Sequence, residues 1–197
     1  MSFRTRSFAR ISLLGCFFLA LYEVCNLITS KRPDVGFFYF EWERQIPFVP
    51  WMIIPYLSMY PLFIVSALFI KNESELDATT KRIIFTVVIS VTCFLLFPLR
   101  FAFERPQVEG FFKPFFIFQD AVDEPYNLAP ALHISLLLIM LDVYYKRTIR
   151  FACFGVNAWF LIIALSTVLT YQHHLTDVAG GIIVGMASLY LFRPRRI

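Results

Sequence analysis

The chain has 197 residues, of which 58% are hydrophobic and only 16% are charged, and its net charge is +4. Soluble domains carry about 25% charged residues, so this composition excludes an ordinary water-soluble fold. No polar stretch is long enough to form a soluble module, so one membrane-embedded domain over residues 1–197 is expected.

The apolar residues fall in blocks at approximately 8–28, 51–70, 83–101, 129–145, 151–171 and 177–192. A helix crosses a hydrocarbon core in about 20 residues, with a range of ~17–25. The pattern predicts an all-α polytopic membrane protein with six transmembrane helices in one bundle. The first block follows a basic start and contains Leu13-Leu14-Gly15-Cys16, which looks like a lipoprotein cleavage box. The residues after Cys16 stay apolar, so a retained first helix is expected instead. Cys16, Cys25, Cys93 and Cys153 all lie inside apolar blocks without a C-x-x-C pair, and read as small buried hydrophobes. Glu23 in block one and Asn157 in block five are expected to bond neighbouring helices. Trp42, Trp51, Tyr56 and Tyr60 read as an aromatic belt at the membrane interface.

Prolines punctuate the connections. Pro33, Pro47 and Pro50 lie in the first, Pro98 and Pro106 bend the chain out of block three, and Pro125 and Pro130 precede block four. Proline suits a helix start because its missing N–H would have no partner there.

The basic residues orient the bundle. Arg4, Arg6, Arg10, Lys71, Lys81, Arg82, Lys146, Arg147, Arg150, Arg193, Arg195 and Arg196 alternate onto one side of a six-span topology. Lys31, Arg32, Arg44, Arg100, Arg105 and Lys113 fall on the other. Positive-inside bias puts both termini in the cytoplasm. It also accounts for the net charge without nucleic acid. Asp142 and Lys146 are spaced as a helix-end pair.

The candidate site follows from this topology. His173 and Asp177 stand four residues apart at the start of the sixth block, a spacing that stacks two side chains on one helix face. The carboxylate can hold one ring N–H and leave the other nitrogen free to attack or to take a proton. The alternative is a helix-capping acid favoured by the dipole. His174 points about 100° away and cannot share Asp177 in a helix. His133 opens block four, and Arg100 and Arg105 follow block three. All these groups arrive at the same outer boundary. A guanidinium fork suits phosphate oxygens. The acidic stretch with Glu104, Glu109, Asp120, Asp123 and Glu124 either pairs these arginines or solvates the loop. The sparse histidines and acids give no metal-ligand spacing, so no metal or other cofactor is expected.

Arg105-Pro106, Pro130-Ala131-Leu132-His133 and His173-x3-Asp177, in that order, resemble the motifs of the type 2 phosphatidic acid phosphatase superfamily. The usual lysine before the first motif is replaced by Pro98, with Arg100 nearby as a substitute. Ala131 and Leu132 stand where Ser and Gly are usual. Thr167 stands where the third motif has Arg. These departures look like the inositol phosphorylceramide synthase and sphingomyelin synthase branch. Phe97–Pro106 and Pro125–Leu136 are also similar to the membrane module fused to dual-specificity phosphatases in some bacteria. The resemblance implies His173 as nucleophile, Asp177 as its orienter, His133 as acid and base, and Arg105 and Arg100 on phosphate. It implies a lipid phosphate substrate among membrane lipids, with the site on the periplasmic or exterior face of a bacterial inner membrane. Water as acceptor gives a phosphatase and an alcohol gives a phosphotransferase. The substitutions at 131 and 167 also motivate a non-catalytic binder of lipid phosphate.

Overall fold

The structure, a computed structural model, describes residues 2–33, 35–123, 126–147 and 150–194, with side chains in the sixth helix from residue 153 onward. Glu124, Pro125, Arg195, Arg196 and the side chain of Arg150, which the sequence reading placed in loops or used for orientation, lie outside the described residues.

Helices run over Phe3–Thr29 (α1), Ile53–Ser66 (α2), Glu73–Leu96 (α3), Lys113–Val122 (α4), Leu132–Tyr145 (α5), Arg150–Leu169 (α6) and Leu175–Leu191 (α7). The fold is all-α. Among the described residues, extended pairing is confined to isolated bridges joining Gly36, Leu99 and Asn127. Polar residues start two helices. Ser2 accepts a hydrogen bond from the Thr5 N–H and Asn72 from the Glu75 N–H, each filling an otherwise empty donor at a helix start. Six of the helices overlap the apolar blocks, but α3 starts ten residues before the block at 83–101 and ends five before its end, so Lys81 and Arg82, expected in a connection, lie inside it. The seventh, α4, lies in the stretch read as an acidic loop, where Pro114 suits a first helical turn and Phe116 and Gln119 turn inward.

By length and composition, α1 and α3 are long and apolar enough to cross a membrane. The other apolar helices are shorter, down to 14 residues in α5. The exterior is rich in large apolar side chains, and polar residues are interspersed in a mainly apolar core. Phe154, Leu13 and Ile183 are 81%, 71% and 69% exposed. Ser7, Thr86, Ser90, Ser135 and Ser188 are buried between helices. Cys16, Glu23 and Asn157 face outward. Of the cysteines expected to be buried only Cys25 is, and the bonds expected of Glu23 are made by its neighbour Tyr22 and by Asn26, on the inward face of α1.

The two ends of the bundle differ. At one end, ion pairs link α1 to α3 through Arg6–Glu73 (2.8 Å) and Arg10–Asp77 (2.6 Å). At the same end the buried Arg82 donates to Asp142 (2.6 Å) and to the Phe192 carbonyl (2.8 Å). Lys146 joins Asp142 at 2.6 Å, and Arg147 pairs with Glu75. The starts of α1 and α3 and the ends of α5 and α7 thus meet, as alternating helix directions require. The opposite end carries the loops that hold the candidate site.

The tightest helix pair there is α5 with α7. A Cβ on Gly181 would lie 2.4 Å from the Ala131 carbonyl oxygen, and one on Gly185 would lie 2.9 Å from Leu138. Glycine at these two positions lets the backbones approach as in small-xxx-small packing. Ser135 Oγ donates to the Gly181 carbonyl (2.7 Å) and the Ala131 N–H to the Asp177 carbonyl (2.9 Å). These contacts register the start of α5 against the start of α7.

Candidate functional site

The α6–α7 turn places His173. The N–H groups of Gln172 and His173 both donate to the Thr167 carbonyl at 3.0 Å, and Tyr171 takes a left-handed φ of 56°. The chain then enters α7 with His174 at the N-cap and Asp177 in the first turn. Asp177 Oδ2 accepts the His174 backbone N–H at 2.8 Å. This corrects the helical stacking expected of His173 and Asp177, because His173 precedes the helix. Its Nδ1 stands 3.8 Å from Asp177 Oδ2, beyond hydrogen-bond length. His173 Nδ1 and Asp177 Oδ1 are each buried without a hydrogen-bond partner. A small rotation that joins them would satisfy both.

His133 lies in the first turn of α5, and its Nδ1 faces His173 Nε2 at 3.4 Å. Both rings are buried. The Tyr56 hydroxyl is 3.2 Å from His133 Nε2 and 3.5 Å from Nδ1. Tyr56, read from sequence as interfacial belt, is thus inside the site. Tyr60 stacks edge-on to His133 and donates to Gln119 Oε1 at 3.4 Å.

A cavity of about 320 Å³, lined by neither imidazole, has Arg105, Asp120, Asp123 and Gln172, the residue before His173, as its polar wall. Phe101, Phe103 and Tyr171 form aromatic walls. Arg105 Nη1 donates to Asp120 at 2.5 Å, and its guanidinium lies 5.4 Å from the centre of the Phe116 ring. Arg105 Nε and Gln172 Nε2 are both buried donors without a partner. Leaving buried donors unpaired costs about 1–3 kcal/mol each, so an oxygen-rich ligand in the cavity would find two donors already desolvated.

Arg100 is not part of this group. It is exposed, its N–H donates to the Gly36 carbonyl at 2.8 Å, and its guanidinium sits 6.0 Å from the Phe37 ring centre. The bridge to Gly36 turns the side chain away from the cavity. Thr167, at the position of the usual third-motif arginine, is buried with its hydroxyl donating to the Ala164 carbonyl at 2.8 Å.

Two groups went unrecognised in the sequence. The buried Glu43 bonds His174 Nδ1 (3.0 Å) and accepts the Leu175 N–H (3.2 Å) and the Phe40 N–H (2.9 Å). His174 Nε2 accepts the Ala102 N–H at 3.1 Å, so the ring is held neutral with its proton on Nδ1. It stacks on Phe101 with 4.2 Å between centroids. His174 therefore ties three loops together and has no free nitrogen for chemistry. The second is Asp123, partly buried at the cavity floor, which accepts from Tyr22, from Tyr56 (3.4 Å) and from Gln119 Nε2 (3.0 Å). Burial pushes its carboxyl above the usual carboxylate range, against the Tyr22 hydrogen bond and the charge of His173. Tyrosines inside apolar helices gave the one sequence signal for it.

Among the described residues no three His, Cys, Asp or Glu side chains gather as a metal site. The chain matches no family model, no curated protein and no solved structure.

Proposed function

We propose that this chain is an integral membrane enzyme that cleaves a lipid phosphate ester through a phosphohistidine. The reading is carried by one observation. Two buried imidazoles face each other at 3.4 Å, and Asp123 and Tyr56 link them to a cavity where Arg105 and Gln172 present unpartnered donors. The large apolar side chains exposed around the helices support membrane embedding, since lipid replaces water around the outward side chains. In that setting the six apolar helices span the bilayer, and the Arg-rich end with both termini lies in the cytoplasm. The histidine end then faces the periplasm or exterior of a bacterial inner membrane, at headgroup level.

The phosphoryl group enters from the cavity as the two rings, now in contact at 3.4 Å, part to admit it. His173 Nε2 attacks phosphorus, forming the P–N bond as the P–O bond to the lipid breaks. His133 gives its proton to the departing alkoxide oxygen. Water then attacks phosphorus and passes a proton back to His133 as the P–N bond to His173 breaks, which releases inorganic phosphate. Asp177 approaches His173 Nδ1 and stabilises the charge on the substituted ring. Arg105 and Gln172 hold the phosphoryl oxygens, where charge stabilisation does most in phosphoryl transfer. Arg100 is given no part. Replacing water by a lipid alcohol in the second step turns the same machinery into a phosphotransferase.

The test uses purified protein in mixed micelles with a panel of labelled lipid phosphates, with and without alcohol acceptors. Release of inorganic phosphate by the wild type, and none by a folded His173→Ala variant, is expected. Label moving to an alcohol would assign transfer. Saturable lipid-phosphate binding with neither outcome would replace this reading with a non-catalytic binder.

A further inference from the structure

Below the cavity a line of polar groups from separate segments reaches the histidines. Tyr22 comes from α1, Tyr56 and Tyr60 from α2, Gln119 from α4, and Asp123 from the residue after α4. The Tyr22 hydroxyl bonds Asp123 Oδ1, and the Tyr56 hydroxyl lies 3.4 Å from Oδ2. Gln119 Nε2 reaches both Asp123 Oδ2 (3.0 Å) and Tyr56 Oη (3.3 Å), and its Oε1 accepts from Tyr60, which fixes the direction of the amide. The line continues through Tyr56 Oη to His133 Nε2 (3.2 Å) and through His133 Nδ1 to His173 Nε2 (3.4 Å).

We propose that Asp123 is a positioning residue which, through the single hydroxyl hydrogen of Tyr56, decides which nitrogen of His133 is free to face His173. This rests on the assignment of the two histidines as the reacting pair. A phenol has one hydrogen to donate and can also accept. An ionised Asp123 only accepts, so it takes the Tyr56 hydrogen. Tyr56 Oη then accepts from His133 Nε2–H. Nδ1 is left with its lone pair toward the reaction centre, able to take the proton of the water that attacks in the second step. A protonated Asp123 donates instead, and Tyr56 turns its hydrogen to His133 Nε2. His133 is then neutral with its proton on Nδ1, aimed at the lone pair with which His173 would attack. One proton on Asp123 thus reverses the whole line.

The groups that face Asp123 are Tyr22, Tyr56 and Tyr60, His133 and His173, with Arg105 and Asp120 on the shared cavity wall. Burial outweighs the cations among them, so the reversal falls above the ordinary carboxylate range. The cavity supplies the exchange path, because Asp123 lines it.

The chain has only three histidines, so ¹⁵N spectra of histidine-labelled protein in micelles resolve each ring and report its tautomer. At alkaline pH His133 is expected with its proton on Nε2 in the wild type, crossing to Nδ1–H as pH falls. Asp123→Ala removes the acceptor and should hold Nδ1–H throughout. Tyr56→Phe, nearly isosteric, should abolish the pH-dependent crossing. In turnover, Asp123→Ala should lower kcat roughly 10- to 100-fold with KM little changed, and Asp123→Glu should recover part of it. One His133 tautomer across pH in wild type and both variants overturns the proposal. A crossing without lipid-phosphate turnover in the wild type would leave it standing and remove the assigned function. Turnover without a crossing would do the reverse.

Discussion

His133 Nδ1 stands 3.4 Å from His173 Nε2, although forty residues separate the two in the chain. Nothing in either segment alone creates that approach. It comes from the starts of α5 and α7 being bolted side by side, with the Ala131 N–H on the Asp177 carbonyl and Ser135 on the Gly181 carbonyl. If His133 serves as acid and base, His133→Ala should lower kcat by about 10²–10⁴-fold while lipid-phosphate binding survives. Steady-state turnover together with equilibrium binding checks both halves. Equal losses in binding and turnover would point to a purely structural histidine.

The α5–α7 contact makes a paired prediction on glycines. A methyl on Gly181 meets backbone at 2.4 Å, whereas one on Gly155 meets nothing within 4 Å. Gly181→Ala should destabilise by about 1–3 kcal/mol through overpacking and push the two imidazoles apart. Gly155→Ala, in the middle of α6, should be neutral or stabilise by roughly 0.5–1 kcal/mol. Thermal unfolding of both variants in the same detergent separates the two expectations. Similar behaviour of the pair would show that the helices are not registered by Gly181.

Glu43 holds the loop end together. Glu43→Ala strips acceptors from the His174 ring, the Leu175 N–H and the Phe40 N–H at once. Each buried donor so exposed costs about 1–3 kcal/mol, and each kcal/mol lowers Tm by about 2–4 °C at this chain length. A marked fall in Tm is expected, with Glu43→Gln falling less because its carbonyl oxygen keeps one acceptor. An unchanged Tm in Glu43→Ala would mean that the His174 pin bears no weight.

Stability should also depend on pH through Asp123. Its folded-state pKa is raised by burial above the unfolded value of about 3.9. Its contribution is then fully present below that unfolded value and is lost as pH rises through the folded one. The wild type should therefore lose stability across a window that opens at the ordinary carboxylate pKa and extends upward. Asp123→Asn, which stays neutral, should show a flatter profile there. Parallel profiles for the two proteins would assign the carboxyl an unshifted pKa.

Apolar runs and prolines made five helices legible, but they missed the half-polar α4 and the charged first turns of α3, where apolarity gives no signal. The sequence also brought His133 and His173 to one end, since helix direction alternates whatever the packing. It misjudged what depends on the first residue of α7. Read as helical, His173 and Asp177 stack; in the fold the helix begins at Leu175, and an acid three residues after the N-cap takes the capping role. Tyr56 and Tyr60 looked like belt residues because an apolar helix does not tell which of its faces points inward. Arg100 lies only five residues before Arg105, yet a backbone bond to Gly36 turns it onto Phe37. Glu43 and His174 are 131 residues apart, and no local pattern joins them.

The most direct measurement is to quench the purified protein within milliseconds of adding a lipid labelled with ³²P at the scissile phosphate. Acid-labile, base-stable label on the wild-type chain, absent from His173→Ala, is the predicted result. Wild-type turnover with no label on the protein, or the same label in His173→Ala, would contradict the account.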